Sequence, residues 1–313
     1  MIIYINPKST FPHLHSDTIF GALCKVLSEF YPNFMDELIN DFENKPPFIL
    51  SSTYPYIQLE NSKKHLLPKI NIVSKVTSNN PNTITQAKKY KKVKYLDEEI
   101  FLDLIHGTLT SNDIIHDIDE YTIKSNILTK ENYGDYKYTS TVQHNNIIHR
   151  INDSSLNVFY TEGLQFKNMG LYFLLKIYDK KYEKIIKTGL KLLQDRGFGA
   201  NISTGHGQFT HTIEENSEFE EKLLANEGEK IVTLSRYIPT ATEIKKIDSD
   251  SSYSIASKRG INSNGELKKK ISFFEEGSIF TFKQEYYGKL TDVSTITPAI
   301  EYGYAFAVKI GGK

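Results

Sequence analysis

Asp195-Arg196-Gly197-Phe198-Gly199-Ala200-Asn201-Ile202-Ser203-Thr204-Gly205-His206-Gly207-Gln208-Phe209 is the segment around which the chain organises. Four glycines fall within eleven residues, with an amide, two hydroxyls and a histidine between them. Upstream, Tyr182, Ile185, Ile186, Gly189, Leu190 and Leu193 share one helical face, and Lys181, Lys184, Lys187 and Lys191 the other. Downstream, Phe209 and Ile213 alternate with polar residues, as in a half-buried strand. The glycines therefore join a helix to a strand. Glycine admits positive φ and close backbone approach, and exposed N–H groups in such a loop can hold an anion. A glycine-capped helix end needs fewer glycines than this.

Nucleotide-binding motifs do not fit the segment. A P-loop requires Gly-x-x-x-x-Gly-Lys-Ser/Thr after a strand, whereas this loop follows a helix and holds no lysine. The dinucleotide fingerprint fails because Ile202 stands where its third glycine belongs.

Working outward, Ile2 to Ile5 reads as an opening strand, and Ser16 or Asp17 caps a helix carrying Ile19, Leu23, Val26 and Leu27. Phe48 to Ser52 and Leu171 to Tyr178 read as buried strands. From Asn61 to Lys94 there are nine lysines and no acid, peaking at Lys88, Lys89, Lys91, Lys92 and Lys94. From Tyr95 to Glu120 there are eight acids and no Lys or Arg. The basic stretch reads as a mobile insertion or long hairpin, and the acidic one as an amphipathic helix. Glutamate-rich residues 214 to 229 read as a linker. Short strands follow at 231 to 235, 252 to 257, 268 to 274, 278 to 282 and 300 to 308.

Strand-helix-strand followed by strand-helix-strand is the split pattern of a ferredoxin-like sheet. The expected class is α+β. Residues 1–215 form a ferredoxin-like domain with an insertion at about 61–145, and 216–313 a mostly β, reduced copy. The 313 residues carry 38 basic and 38 acidic side chains, so RNA or membrane binding must come from local patches. The single cysteine, Cys24, excludes a disulfide framework and a Cys-rich zinc site and fits a reducing cytosol. Met1 to Ile5 has no signal-peptide character, and no apolar run reaches the roughly 20 residues of a membrane span, so a cytoplasmic location is expected. No His-Glu-x-x-His or Gly-x-Ser-x-Gly motif is present, and His116-Asp117 lacks further metal-ligand spacing. No cofactor or metal is implied.

Taken together, these motifs resemble the RAMP proteins of CRISPR effector complexes, in particular the type III-A (Csm) branch that caps the crRNA 5′ end and is related to the Cas5 group. The resemblance rests on Ser16-Asp17-Thr18-Ile19-Phe20-Gly21-Ala22, on Ser51-Ser52-Thr53-Tyr54-Pro55-Tyr56, and on Leu67-Pro68-Lys69. Arg150 precedes an aromatic strand, and the glycine loop has the form Gly-hydrophobic-Gly-…-Ser-x-Gly-x-Gly-x-Phe. Further matches are Leu234 to Pro239, Glu276 to Phe280 and Glu301 to Phe306. Ala200-Asn201-Ile202 replaces the Gly-Lys-Arg often found in that loop, which weakens direct phosphate contacts from it.

The resemblance implies a non-catalytic subunit that grips the crRNA 5′ handle. Its partners would be a large polymerase-like subunit, a backbone RAMP subunit, and target RNA near the guide 5′ end, reached by a hairpin thumb from the insertion. Ser16, Asp17 and Thr18 are expected to contact phosphates at a helix start. Gly197, Phe198, Gly199, Ala200, Asn201, Ser203, Thr204, Gly205, His206 and Gly207 are expected against the handle. Arg150, Arg236, Lys258 and Arg259 are candidate backbone cations, with Tyr237 and Phe198 as stacking platforms. The competing reading is a metal-independent endoribonuclease using His13 or His15.

Overall fold

A computed structural model of the chain describes residues 1–72, 81–148, 155–199, 202, 205–262 and 264–311. Arg150, Ala200, Asn201, Ser203 and Thr204 lie outside the described residues.

Ile2, Ile3, Tyr4 and Ile5 are all buried, as an unbroken apolar run requires when both faces of a strand are covered. This strand, β1 (Ile2–Pro7), leads to α1 (Ser16–Ser28), α2 (Phe34–Asn44), β2 (Phe48–Leu50), β3 (Tyr54–Gln58) and β4 (Lys63–Pro68). Next come α3 (Pro81–Lys91), β5 (Tyr95–Asp97), α4 (Glu98–His106), α5 (Ser111–His116), β6 (Thr122–Lys124) and β7 (Ile127–Thr129). A long hairpin, β8 (Lys137–Ile148) and β9 (Ser155–Lys167), precedes β10 (Met169–Ile177), α6 (Lys181–Arg196) and β11 (Phe209–Glu214). The remainder holds α7 (Glu218–Leu224), β12 (Lys230–Thr233), α8 (Ala241–Ile244), β13 (Ile255–Lys258) and β14 (Ile271–Phe274). It closes with β15 (Ile279–Phe280), β16 (Leu290–Asp292), β17 (Ile300–Tyr302) and β18 (Ala307–Ile310).

The chain is α+β, built on one large mixed sheet of order β11-β1-β10-β3-β4-β5-β7-β6, with β2 also paired to β10. β10 lies between β1 and β2/β3, so the unit β1-α1-β2 interleaves with the unit β10-α6-β11. Two helices cover one face. Gly189 of α6 lets α1 approach: a Cβ there would sit 3.0 Å from Leu23 Cδ2. On the opposite face the Tyr4 hydroxyl bonds His65 Nε2 and Glu214, both at 2.8 Å, and Phe219 of α7 stacks on His65 at 4.1 Å.

Residues 216–313, expected as a reduced copy of the first unit, form three small sheets: β15-β12-β18, β13-β14 and β16-β17. The main core runs through both parts, taking in Val232, Leu234, Tyr302, Tyr304 and Phe306 beside the sheet residues. Phe20 of α1 stacks on Tyr302 at 4.9 Å.

Three expectations are corrected. The lysine-rich stretch carries a helix, α3, rather than a hairpin, because Tyr90 is buried and holds the Lys69 ammonium 3.9 Å from its ring. The hairpin lies later in the chain, at β8 and β9. The acidic stretch after β11 contains α7, anchored by buried Phe219 and Leu223, instead of an open linker. No helix among the described residues is long and apolar enough to cross a membrane.

Candidate nucleic-acid interface

At the start of α1, Ser16 and Asp17 are buried and bonded within the protein. Ser16 N–H donates to Ser52 Oγ at 3.0 Å, and Thr18 and Ile19 N–H donate to the His15 carbonyl at 2.9 and 3.0 Å. Ser16 Oγ accepts from Arg236 N–H at 3.2 Å. The Asp17 carboxylate, buried, receives the Arg236 guanidinium at 2.9 Å and the Lys258 ammonium. Lys258 also meets Glu301 at 2.5 Å, with Lys268 at 3.5 Å from the same carboxylate. His15 Nδ1 lies 2.8 Å from Glu276, which also accepts from Ser52 Oγ. Burial alone would raise the Asp17 pKa; the Lys258 and Arg236 charges outweigh it and hold the carboxyl below its ordinary value.

Ser16, Asp17, Arg236 and Lys258 therefore clamp α1 to the C-terminal part, and the expectation that this helix end is open to phosphates is corrected. An anion there would have to displace buried carboxylates. Thr18 is the exposed member of the trio, its hydroxyl 3.2 Å from Asp17. Arg259 is exposed, with Nε donating to the Lys268 carbonyl at 3.0 Å.

The glycine loop closes on itself. Gly197 N–H donates to the Leu193 carbonyl at 2.6 Å, ending α6, and Phe198 N–H donates to the Gly207 carbonyl at 2.9 Å. Gly197, Gly199, Gly205 and Gly207 all have positive φ, from 71° to 102°. At Gly207 a Cβ would lie 1.8 Å from the Phe198 carbonyl oxygen, so only glycine fits. Phe198 is 2% exposed, packed against Phe11 and Phe209 at ring distances of 5.9 and 5.1 Å. It anchors the loop from inside and cannot serve as a stacking platform. Tyr237, at 0% exposure against Phe274 and Phe280, is corrected in the same way. His206 is half-buried and Gly205 exposed.

Residues 8 to 15 draw the outward-facing candidates together. Lys8 N–H donates to the Gln208 carbonyl at 2.7 Å, and Thr10 accepts the Gly207 N–H at 2.9 Å, fixing the glycine loop on one side. Phe11 and Leu164 exchange backbone hydrogen bonds of 2.9 and 2.7 Å, fixing the root of the hairpin on the other. Close approach of Gly163 to Thr10 permits that pairing: a Cβ would lie 2.4 Å from the threonine methyl. A Cβ on Gly199 would lie 3.5 Å from Pro12 Cγ. His13 is exposed and borders a narrow crevice with Tyr95, Tyr138 and Phe166. Desolvation, then the His15 and Lys94 charges, hold its pKa below the ordinary histidine value.

Lys94, which ends the basic stretch, precedes Tyr95 of that crevice. Lys88, Lys91, Lys92 and Lys94 are exposed without a carboxylate partner among the described residues, whereas Lys89 pairs with Asp119 at 2.5 Å. Lys8 is a further exposed cation beside the glycine loop, without a carboxylate partner among the described residues. Sequence reasoning missed it because a lone lysine carries no pattern. Among the described residues there is no group of three potential metal ligands.

Residues 2–210 match the family model of the RAMP superfamily. The chain belongs to the RAMP superfamily. Residues 226–310 match the CRISPR Csm4 C-terminal domain, so the two matches account for both parts of this RAMP chain. No curated protein matches the sequence. In solved structures, the chain is similar to one in the crystal structure of a Csm3-Csm4 subcomplex of the type III-A CRISPR-Cas interference complex. The TM-score there is 0.71 and the identity 19%, with 99% of each chain covered. A chain of the Csm1-Csm4 cassette in complex with pppApA gives 0.61 at 19% identity, covering 99% of this chain and 96% of that one. The same cassette in complex with cA4 gives 0.59 at 19% identity over the same shares. At such identities the likeness concerns the fold.

Proposed function

We propose that this RAMP chain is a non-catalytic crRNA-binding subunit of a type III-A CRISPR complex. It holds the crRNA 5′ handle and bridges a large polymerase-like subunit to a backbone RAMP subunit, with target RNA passing near the hairpin. The observation that carries this reading is the meeting of two features on residues 8 to 15, the glycine loop through Gln208 and Gly207 and the hairpin root through Leu164, beside a crevice shared by His13 and Tyr95 where the basic stretch ends. Exposed backbone at positive-φ glycines approaches a sugar–phosphate chain closely, and unpaired lysines supply the sequence-independent attraction. The interleaved strand-helix-strand units support a ferredoxin-like description of the first part. The full-length matches to chains of Csm3-Csm4 and Csm1-Csm4 structures support the choice of protein partners.

The test is co-expression with crRNA and both protein subunits, followed by ultraviolet crosslinking of the purified complex. The expected result is handle nucleotides crosslinked to residues within 8–15 and 197–208. Handle crosslinks confined to other subunits would overturn the reading. An endoribonuclease is favoured by one observation, the exposed His13 with its depressed pKa. Repeat RNA incubated without divalent metal distinguishes the two: cleavage abolished by His13→Ala would replace the structural role with a catalytic one. His15, tied to Glu276, is less free to move a proton.

A further inference from the structure

The C-terminal part exposes an apolar groove of about 540 Å3 beside β14. α8 forms one wall through Ile244, and Ile247 follows it. A capping box between Thr240 and Glu243 fixes that short helix, and Glu243 is itself buried, accepting from Gln284 and Gly288. The β13-β14 pair forms the other wall through Ile255 and Phe273. Ile244, Tyr253 and Ile255 are 56%, 43% and 59% exposed, an unusual grouping of large apolar side chains in water.

We propose that this groove docks an amphipathic protein segment whose apolar face is flanked by acidic residues. Charge selects the occupant. Lys245 follows α8 and Lys270 precedes β14, both exposed and without a carboxylate partner among the described residues, whereas the Lys246 ammonium turns to Gln284 Oε1 at 2.8 Å. Of the acids near them in sequence, Glu243 is buried, Asp248 accepts from Ser251 and Thr281, and Asp250 faces Lys230 at 3.9 Å. A second copy of this chain would bring lysine rims together, which complementarity disfavours. RNA is disfavoured by the walls themselves: Ile244 and Ile255 offer bases no flat surface, the Phe273 and Phe274 rings are buried, and the exposed ring of Tyr253 is already stacked on Phe280. An apolar helix face entering such a groove buries its anchors while its acids meet the lysines.

The groove also reaches the clamp at α1. Phe273 lines the groove, and the Arg236 guanidinium that holds Asp17 lies 4.4 Å from its ring centroid. A docked segment therefore presses on the side chain that supports the junction between the two parts.

The experiment uses the full chain and two synthetic amphipathic helices with the same leucine face, one flanked by glutamates and the other by lysines. By fluorescence anisotropy, the acidic peptide is expected to bind, and to bind about tenfold more weakly to the Ile244→Glu and Ile255→Glu variants. Both positions are exposed, so an unchanged melting curve confirms that the variants fold. Equal binding of the two peptides, or binding unaffected by the variants, overturns the proposal, as does displacement of the acidic peptide by single-stranded RNA. A second arm rests on the function proposed above. In the co-expressed complex the double variant should lose one protein subunit and keep crRNA. Retention of both subunits would overturn the inference, whereas recovery of the wild type without any subunit or crRNA would overturn the function while leaving the peptide result standing.

Discussion

The Arg236 guanidinium donates to the Asp17 carboxylate at 2.9 Å across 219 positions of sequence, and Lys258 reaches the same carboxylate. This places the first helix and the C-terminal part in one electrostatic unit. Replacing Asp17 by Asn leaves two cations facing a neutral amide. The expected loss is about 2–3 kcal/mol, below the full cost of a broken buried pair because Arg236 and Lys258 keep partial contact with water. Denaturant midpoints of variant and wild type would measure it.

The same carboxylate makes a signed prediction about pH. The folded pKa of Asp17 lies below its ordinary 3.8, so its contribution is fully present above that value and disappears as pH falls through the lower, folded one. Stability of the wild type should drop in that acidic window, and the Asp17→Asn variant should show a shallower drop. Parallel curves for the two proteins would remove Asp17 from the account.

Gly207 and Gly205 separate closure of the loop from its conformation. Gly207→Ala sets a methyl against the Phe198 carbonyl oxygen and should destabilise by at least about 2 kcal/mol. Gly205→Ala meets nothing within 4 Å, so only its φ of 83° resists, at about 1 kcal/mol. Thermal melts of the two variants should differ in that order.

Phe198→Ala should cost about 3–5 kcal/mol, as a truncated core aromatic does. Because the ring lies between Phe11 and Phe209, weakened RNA binding in this variant should follow the loss of fold. Binding measured well below the melting temperature, with stability monitored alongside, separates the two. A large affinity loss in a fully stable variant would put the ring in contact with RNA.

Neutralising Lys88, Lys91, Lys92 and Lys94 to Gln should lower RNA affinity and flatten its salt dependence. The slope of log K against log salt becomes shallower by about 0.7 for each single-strand phosphate that the protein no longer neutralises. Lys89→Gln alone should leave the slope unchanged, since that ammonium already pairs with Asp119. An unaltered slope in the fourfold variant would make the patch ordinary solvated surface.

Local patterns were legible from sequence because their physics is local. The α6 apolar face, the positive-φ glycines after it and the strand from Phe209 follow from side-chain period and from what glycine alone permits. α7 was not legible, because Phe219 and Leu223, its buried residues, stand among glutamates and become a helix face only against His65 and the sheet. α3 was missed for the same reason, its exposed lysines outnumbering the one buried tyrosine.

By itself, then, the sequence determined an α+β chain with a helix, a glycine-rich connection and a strand in that order, and the motif order that marks a RAMP protein. Tertiary structure alone decided which polar residues face outward. Ser16, Asp17, Arg236 and Lys258 are equally suited to hold a phosphate or one another, and nothing in their chain positions chooses between the two. The choice is made by the fold, which brings α1 against the C-terminal part and buries the Asp17 carboxylate, where an ion pair within the protein replaces the water it has lost.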